Sequence, residues 1–288
     1  MMANLKGGNF AKQCKDGFHR LEAFGVGRIG KNDNLTHSDK LAEKREMYLK
    51  DVSNYFESEN LDGKLNNLFT KDNLDKFFEN RLEDLAIKTQ ENYLRGFSSM
   101  LKGLEQKNIH IPLNLEDKNY FDNRVSIIKD QVEIIIENRY IDNVDSVISN
   151  LYEDRQISGL LAQTQYELSI RQAEAYELLK NPSSYIDDGI VSNLVGKGNH
   201  IYEAKHISFE LEQKILNNSE NLIDKSTYYK DLQKYSISSH DFRFTSARDK
   251  FEEKIRNGIS EKEAKLQVSS ELNHKRESIT DYYLSRTN

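Results

Sequence analysis

Proline limits the secondary structure of a chain more than any other residue, and here it is nearly missing: 288 residues carry two, Pro112 and Pro182. Proline lacks a backbone N–H and clashes with the preceding turn, so it ends or kinks a helix. Both prolines stand where helical patterns break, which leaves long stretches free to run as helix. Charged residues make up 31% of the chain and hydrophobic ones 37%, the balance of a soluble helical protein. Its length suits two domains of ~100–200 residues each. No run of ~18 apolar residues is present to span a membrane, and the opening MMANLKGGNFAKQCKDG lacks the apolar core of a secretory signal. Cys14 is the only cysteine, so the chain can form neither an internal disulfide nor a paired-cysteine metal site. A reducing, cytoplasmic setting is expected.

The net charge of −6 counts against nucleic acid as a partner only if charge is spread evenly. It is not. Residues 1–32 hold six basic residues (Lys6, Lys12, Lys15, Arg20, Arg28, Lys31) against Asp16 and Glu22, a local charge of +4. Six glycines in the same stretch disfavour helix. Residues 1–37 thus read as a basic arm that touches phosphates, or as a frayed terminus.

Residues 38–130 read as an all-α domain. SDKLAEKREMYLKDVSNYFES offers Ser38 as N-cap and apolar spacing through Leu41, Met47, Val52, Tyr55 and Phe56. A second helix starts after Thr70. In a third, over 87–108, Tyr93, Phe97, Leu101 and Leu104 share one face. Lys88, Arg95 and Lys102 recur every seven residues on another. That stripe is either a solvated face or, with Thr89, a surface for DNA phosphates. A fourth helix is expected over 116–129, with the connection to the next domain near 131–143.

Residues 131–288 open with two helical patterns that end at Asn181-Pro182. The following GIVSNLVGKGNHIYEAKHIS is rich in β-branched residues and reads as a β-hairpin turning at Gly196-Lys197-Gly198-Asn199. Helices resume near Ser208. The expected fold is therefore mainly α with a small antiparallel β-sheet.

Four local signals fall in this second domain. Arg171 and Glu174, three apart on a helical pattern, are neighbours, as in a surface ion pair or a carboxylate that orients a guanidinium. Lys197 sits at the hairpin tip between glycines that allow a tight turn; it is not in a phosphate-binding loop of the GxxxxGK[ST] kind, because no helix follows. Ser238 and Asp241 mark a helix start, which sets His240 and Arg243 together near the positive end of the helix dipole. In ELNHKRESITDYYL, Leu272 closes a helix, Asn273 suits a left-handed C′ position, and Tyr283 follows His274 by nine residues.

Taken in order, these residues resemble the tyrosine recombinases, or phage-type integrases. That family carries Arg in a G-L-R-x-S-E helix, Lys on a β-hairpin, H-x-x-R, L-G-H, and Tyr nine residues after that His. Arg171, Lys197, His240, Arg243, His274 and Tyr283 fall on those positions, and Glu174 on the acid after the first Arg. The tail is similar to the pattern S-x-E-L-G-H-x-R-x-x-I-T-x-x-Y-L-G-R. The resemblance spans residues 38–286 and implies a core-binding domain followed by a tyrosine-recombinase-type catalytic domain. Asn273 replaces the usual Gly, and both tolerate positive φ. The segment between Arg243 and His274 is longer than in compact members, which an extra turn near RNGISEKEAK would absorb. Five residues follow Tyr283, where many members carry a further helix that docks on a neighbouring protomer.

The resemblance implies a site-specific recombinase of the kind that serves DNA integration by mobile elements. Arg171 and Arg243 would neutralise non-bridging phosphate oxygens, and Tyr283 would form a 3′-phosphotyrosyl intermediate. Lys197 would protonate the leaving 5′ oxygen. His240 would take the tyrosine proton or hold the phosphate, and His274 would bond a non-bridging oxygen. Double-stranded DNA is the expected partner, clamped by both domains, with self-assembly to a tetramer. No cofactor is called for, and the scattered His residues make no metal site. Two other readings stand beside it: strand cleavage of the type IB topoisomerase kind, and a non-catalytic DNA-binding regulator with this fold.

Overall fold

A computed structural model of the protein describes residues 8–28, 30, 33–109, 119–131, 138–218, 221–274 and 277–287, and the chain divides into two compact units, Met1–Ile134 and Ile135–Asn288. It is mainly α-helical, with one small three-stranded antiparallel sheet. No described helix is long and apolar enough to cross a membrane.

Among the described residues, the elements of the first unit are helices. Helix α1 (Phe10–Phe18) is capped by Asn9, whose side chain accepts from the Lys12 N–H at 3.1 Å. Helix α2 (Asp39–Ser58) starts from Ser38. Short α3 (Leu65–Leu68) leads to α4 (Lys71–Phe77), which is capped by Thr70 and widens into a π-type turn over Phe78–Leu82. Helices α5 (Ile87–Gln106) and α6 (Tyr120–Gln131) complete the unit; the expected helix start at 116–118 lies outside the described residues. The core is aromatic. Phe56, Phe69, Phe77, Phe97 and Phe121 are all solvent-free, and burying one such side chain is worth ~1.5–3 kcal/mol. Helix α5 lies so close to α2 that a Cβ at Gly96 would stand 2.4 Å from the Tyr48 ring.

One expectation is corrected here. From residue 8 onward the N-terminal segment is not a free arm. Phe10, Cys14, Phe18 and Leu21 are buried in the same core as Phe56 and Phe97. The Gln13 side chain accepts from the Leu65 N–H at 2.8 Å, and Lys107 Nζ donates to the carbonyls of Arg20 and Glu22. Residues 10, 14 and 18 recur every four positions, so one turn-by-turn apolar face overrides the poor helix propensity of the glycines. Lys6 and Lys31 lie outside the described residues.

In the second unit α7 (Val144–Asp154) and α8 (Gln156–Leu168) meet at Arg155, which is extended. Helix α8 is buried along most of its length, from Ile157 to Leu168. Ser169, at φ 53°, breaks the chain before α9 (Gln172–Lys180), so the two expected helical patterns form three helices. Strands β1 (Ile186–Asp187), β2 (Ile190–Val191) and β3 (Lys205–His206) pair antiparallel in that order, with Ile186 opposite Val191 and Val191 opposite Lys205. Beyond β2 the hairpin continues through the Val195–Ile201 bridge to a turn at 196–199, closed by Gly196 N–H to His200 O at 2.7 Å. Helices α10 (Phe209–Leu216), α11 (Lys225–Gln233), α12 (Ser239–Arg256), α13 (Glu261–Glu271) and α14 (Glu277–Leu284) follow. Ser238 and Asp241 form a reciprocal capping box on α12, which fixes where His240 and Arg243 emerge.

Candidate active site

The centre of the second unit is the Arg243 guanidinium. Arg243 sits in the first turns of α12 and is 0% exposed. Its Nε donates to the Tyr283 hydroxyl at 2.9 Å, Nη1 donates to Ser169 O and to the Tyr202 hydroxyl, and Nη2 donates to Leu272 O. Each acceptor is neutral. Among the described residues no carboxylate pairs with Arg243. A buried charge without a counter-ion is costly, and a site that keeps one is poised for an anion from outside.

Arg171 comes from the other side. It occupies the N-cap position of α9 rather than the helix itself. Glu174 at N3 still reaches it, with Nη1 to Oε1 at 3.4 Å. The same Nη1 donates to the Tyr202 hydroxyl at 3.2 Å, and Nη2 meets His274 Nε2 at 3.2 Å. Arginine only donates, so His274 Nε2 acts here as the acceptor and the ring proton belongs on Nδ1. Glu174 is 4% exposed, and among the described residues its Oε2 finds no hydrogen-bond partner.

His274 is held by its turn. Asn273 takes φ 53°, the His274 N–H donates to Ser269 O at 2.8 Å, and the Asn273 side chain donates to His200 O at 3.1 Å. That last bond ties the end of α13 to the hairpin. On the hairpin, Gly196 faces inward: a Cβ there would stand 2.8 Å from the Tyr202 ring and 3.0 Å from Asn273 Nδ2. Lys197, one residue on, is exposed in the turn.

His240 lies at the rim, exposed to solvent, with its ring 6.1 Å from that of Tyr283. Loss of water around the ring lowers its pKa, and the guanidiniums of Arg243, Arg139 and Arg171 push the same way. The imidazole is therefore neutral near pH 7.

The two adjacent tyrosines differ in burial. Tyr283 is 4% exposed and Tyr282 50%. Ile279 and Tyr283 are four apart and share the inner face of α14, where Tyr283 packs with Phe244, Val268 and Leu272. Tyr282 points outward, with Arg286 over its ring at 5.7 Å.

The structure thus brings Arg171, Glu174, Arg243, His274 and Tyr283 into one contact network, sets His240 beside it, and leaves Lys197 exposed on the adjoining turn. Sequence reasoning missed Tyr202, which joins the two arginines. A signal was available: along the hairpin, Leu194, Gly196 and Tyr202 fall on the inner side while Val195 and Ile201 face out, and a buried tyrosine hydroxyl needs partners. Lys205 was missed as well. Its Nζ donates to Glu271 O at 2.7 Å, and burial, reinforced by Lys250, lowers its pKa to about 7.

In the first unit the basic stripe of α5 is internally paired. Glu91, buried, accepts from Lys88 at 2.5 Å and from Arg95 at 2.7 Å, and Lys102 donates to Asp122 at 2.6 Å. Thr89 is half-buried in the first turn of α5. These cations are not the unneutralised row that the sequence alone suggests. Among the described residues no cluster of His, Cys, Asp and Glu is arranged to hold a metal ion.

No protein-family model matches the chain, and no curated protein matches it. Among solved structures, a crystal structure of XerA recombinase is similar at a TM-score of 0.39 and 13% sequence identity, covering 87% of each chain.

Proposed function

We propose that the protein is a site-specific DNA recombinase that cleaves and rejoins DNA through Tyr283. The observation that carries this reading is the pairing of Arg243, fully buried and without a carboxylate partner, with the Tyr283 hydroxyl. A phosphodiester resists attack because its charge repels nucleophiles. A guanidinium satisfied only by neutral acceptors, as Arg243 is, supplies the missing counter-charge, and preorganised donors of this kind are each worth ~10²–10³ in rate.

In the proposed reaction the Tyr283 oxygen attacks phosphorus. The phosphotyrosyl bond forms as the bond to the 5′ oxygen breaks, with Arg171 and Arg243 on the non-bridging oxygens. The phenol proton passes to His240, whose lowered pKa keeps it a free base at neutral pH. The 5′ oxygen leaves with a proton from Lys197, carried on the turn beside Gly196. His274, already bonded to Arg171, holds a phosphate oxygen. A second 5′ hydroxyl then reverses these steps and rejoins the strand. The first unit would grip the duplex through the α5 face bearing Lys88, Thr89, Arg95 and Lys102, and four copies would assemble on DNA.

The test is incubation of the full chain with nicked suicide duplexes cut from the flanks of its own gene. A covalent protein–DNA adduct that survives denaturation and is lost in Tyr283→Phe supports the reading. Relaxation of supercoiled plasmid with no joined product points instead to topoisomerase chemistry. Sequence-selective binding with no adduct points to a regulator.

A further inference from the structure

The geometry points to Tyr202 as a third phosphate donor of this site, its hydroxyl hydrogen-bonding a non-bridging oxygen between Arg171 and Arg243. The inference rests on reading the site as one that binds a phosphoryl group.

A phenol oxygen has two lone pairs and one proton. Arg171 Nη1 donates to the Tyr202 oxygen at 3.2 Å and Arg243 Nη1 at 3.3 Å. Both lone pairs are thus engaged by cations, and the oxygen has only its O–H left to offer. Tyr202 is 4% exposed. Among the described residues nothing accepts it. A buried hydroxyl proton beside two guanidiniums is suited to an anion, which the two arginines would also attract. Donation by each guanidinium withdraws electron density from the oxygen and makes the O–H a stronger donor. Burial raises the Tyr202 pKa, and the Glu174 carboxylate adds to it against the lowering by Arg243 and Arg171, so the proton is retained at neutral pH.

The surroundings maintain this seat. The ring fits only because residue 196 is glycine, since a Cβ there would lie 2.8 Å from Tyr202 Cε2. The Tyr202 N–H donates to Leu194 O at 2.9 Å across the hairpin. Lys205 Nζ lies 5.6 Å from the ring centre. Tyr202 therefore links the arginine pair to the turn that carries Lys197, and a phosphate drawn to the arginines would meet its hydroxyl as well.

The experiment compares full-length wild type with Tyr202→Phe, and with 3-fluorotyrosine placed at position 202. Two probes are used: inorganic phosphate, read by the thermal-unfolding shift, and the nicked suicide duplex, read by adduct rate. Tyr202→Phe is expected to unfold near the wild-type temperature without phosphate. It should bind phosphate about tenfold more weakly, as befits loss of one bond to a charged group, and form adduct about 10²-fold more slowly. Fluorination lowers the phenol pKa, so the alkaline loss of phosphate binding should move to lower pH, which a merely structural ring would not cause. Wild-type phosphate affinity and adduct rate in Tyr202→Phe overturn the proposal, and so does tighter phosphate binding, which would make the hydroxyl a blocker. If Tyr202→Phe fails to fold, the fluorinated protein decides: an unmoved alkaline limb overturns the proposal. Phosphate binding that depends on Tyr202 with no adduct from wild type upholds the third donor and sinks the recombinase reading instead. An adduct without measurable phosphate binding leaves the decision to the adduct rate. Neither phosphate binding nor adduct in wild type overturns both.

Discussion

Nε of Arg243 lies 2.9 Å from the hydroxyl of Tyr283, and both side chains are withdrawn from solvent. This bond links α12 to α14 at residues 40 apart in the sequence. Of the two neighbouring tyrosines, it is Tyr283 that makes it.

Tyr283→Phe is expected to abolish adduct formation on a nicked suicide duplex. It removes the acceptor of a buried guanidinium N–H, so the folded state should lose about 2–3 kcal/mol. Tyr282→Phe changes an exposed ring and should leave both activity and stability near wild type. Adduct from Tyr283→Phe but not from Tyr282→Phe would reassign the nucleophile.

Arg243→Met should be costly to the fold. It strands the carbonyls of Ser169 and Leu272 together with the Tyr283 hydroxyl. An unsatisfied buried polar group costs ~1–3 kcal/mol, so a loss of about 3 kcal/mol or more is expected in urea unfolding. Arg243→Lys, which can satisfy one or two of these acceptors, should fall between. A methionine variant as stable as wild type would mean that these bonds contribute little.

Glu91 ties down two of the cations on α5. Its hydrogen bond from Lys88, then that from Arg95, holds its carboxyl below the usual carboxylate range. A carboxyl whose folded pKa is depressed contributes stability above its unfolded value of ~4.3, and that stability is lost as pH falls through the folded value. Glu91→Gln should therefore flatten the acid limb of the stability curve. At neutral pH it also frees Lys88 and Arg95, so binding to non-specific duplex should strengthen and its salt dependence steepen. An unchanged salt slope removes this face from the DNA surface.

Lys205 has the opposite dependence. Its folded pKa of about 7 lies below the unfolded value of ~10.4. Between those values the unfolded chain binds a proton that the folded one does not, so stability rises with pH across that window and the penalty is complete below it. Lys205→Met should remove the rise and be the more stable protein relative to wild type at pH 6 than at pH 9. Parallel urea midpoints for the two proteins at both pH values would show that the amine keeps its ordinary pKa.

Short-range signals made much of this protein legible from its sequence. Ser38, Thr70, Ser208 and Ser238 stand at helix starts because a side-chain oxygen needs only the next few N–H groups to act as a cap. Asn273 adopts positive φ for an equally local reason. The separation of Arg171, Lys197, His240, Arg243, His274 and Tyr283 along the chain, and the hairpin around Lys197, could likewise be read from spacing. Contacts between distant residues decided the rest. That α1 belongs to the core depends on Phe56 and Leu65 being there to receive it. Which of Tyr282 and Tyr283 faces inward depends on Phe244 and Val268, and the pairing of Lys88, Arg95 and Lys102 depends on where Glu91 and Asp122 come to lie. Tyr202 stood out in no motif, because its position between Arg171 and Arg243 exists only once α9, α12 and the hairpin are packed together. Capping and turn preferences act over a few bonds, whereas burial and counter-charge are properties of the assembled fold.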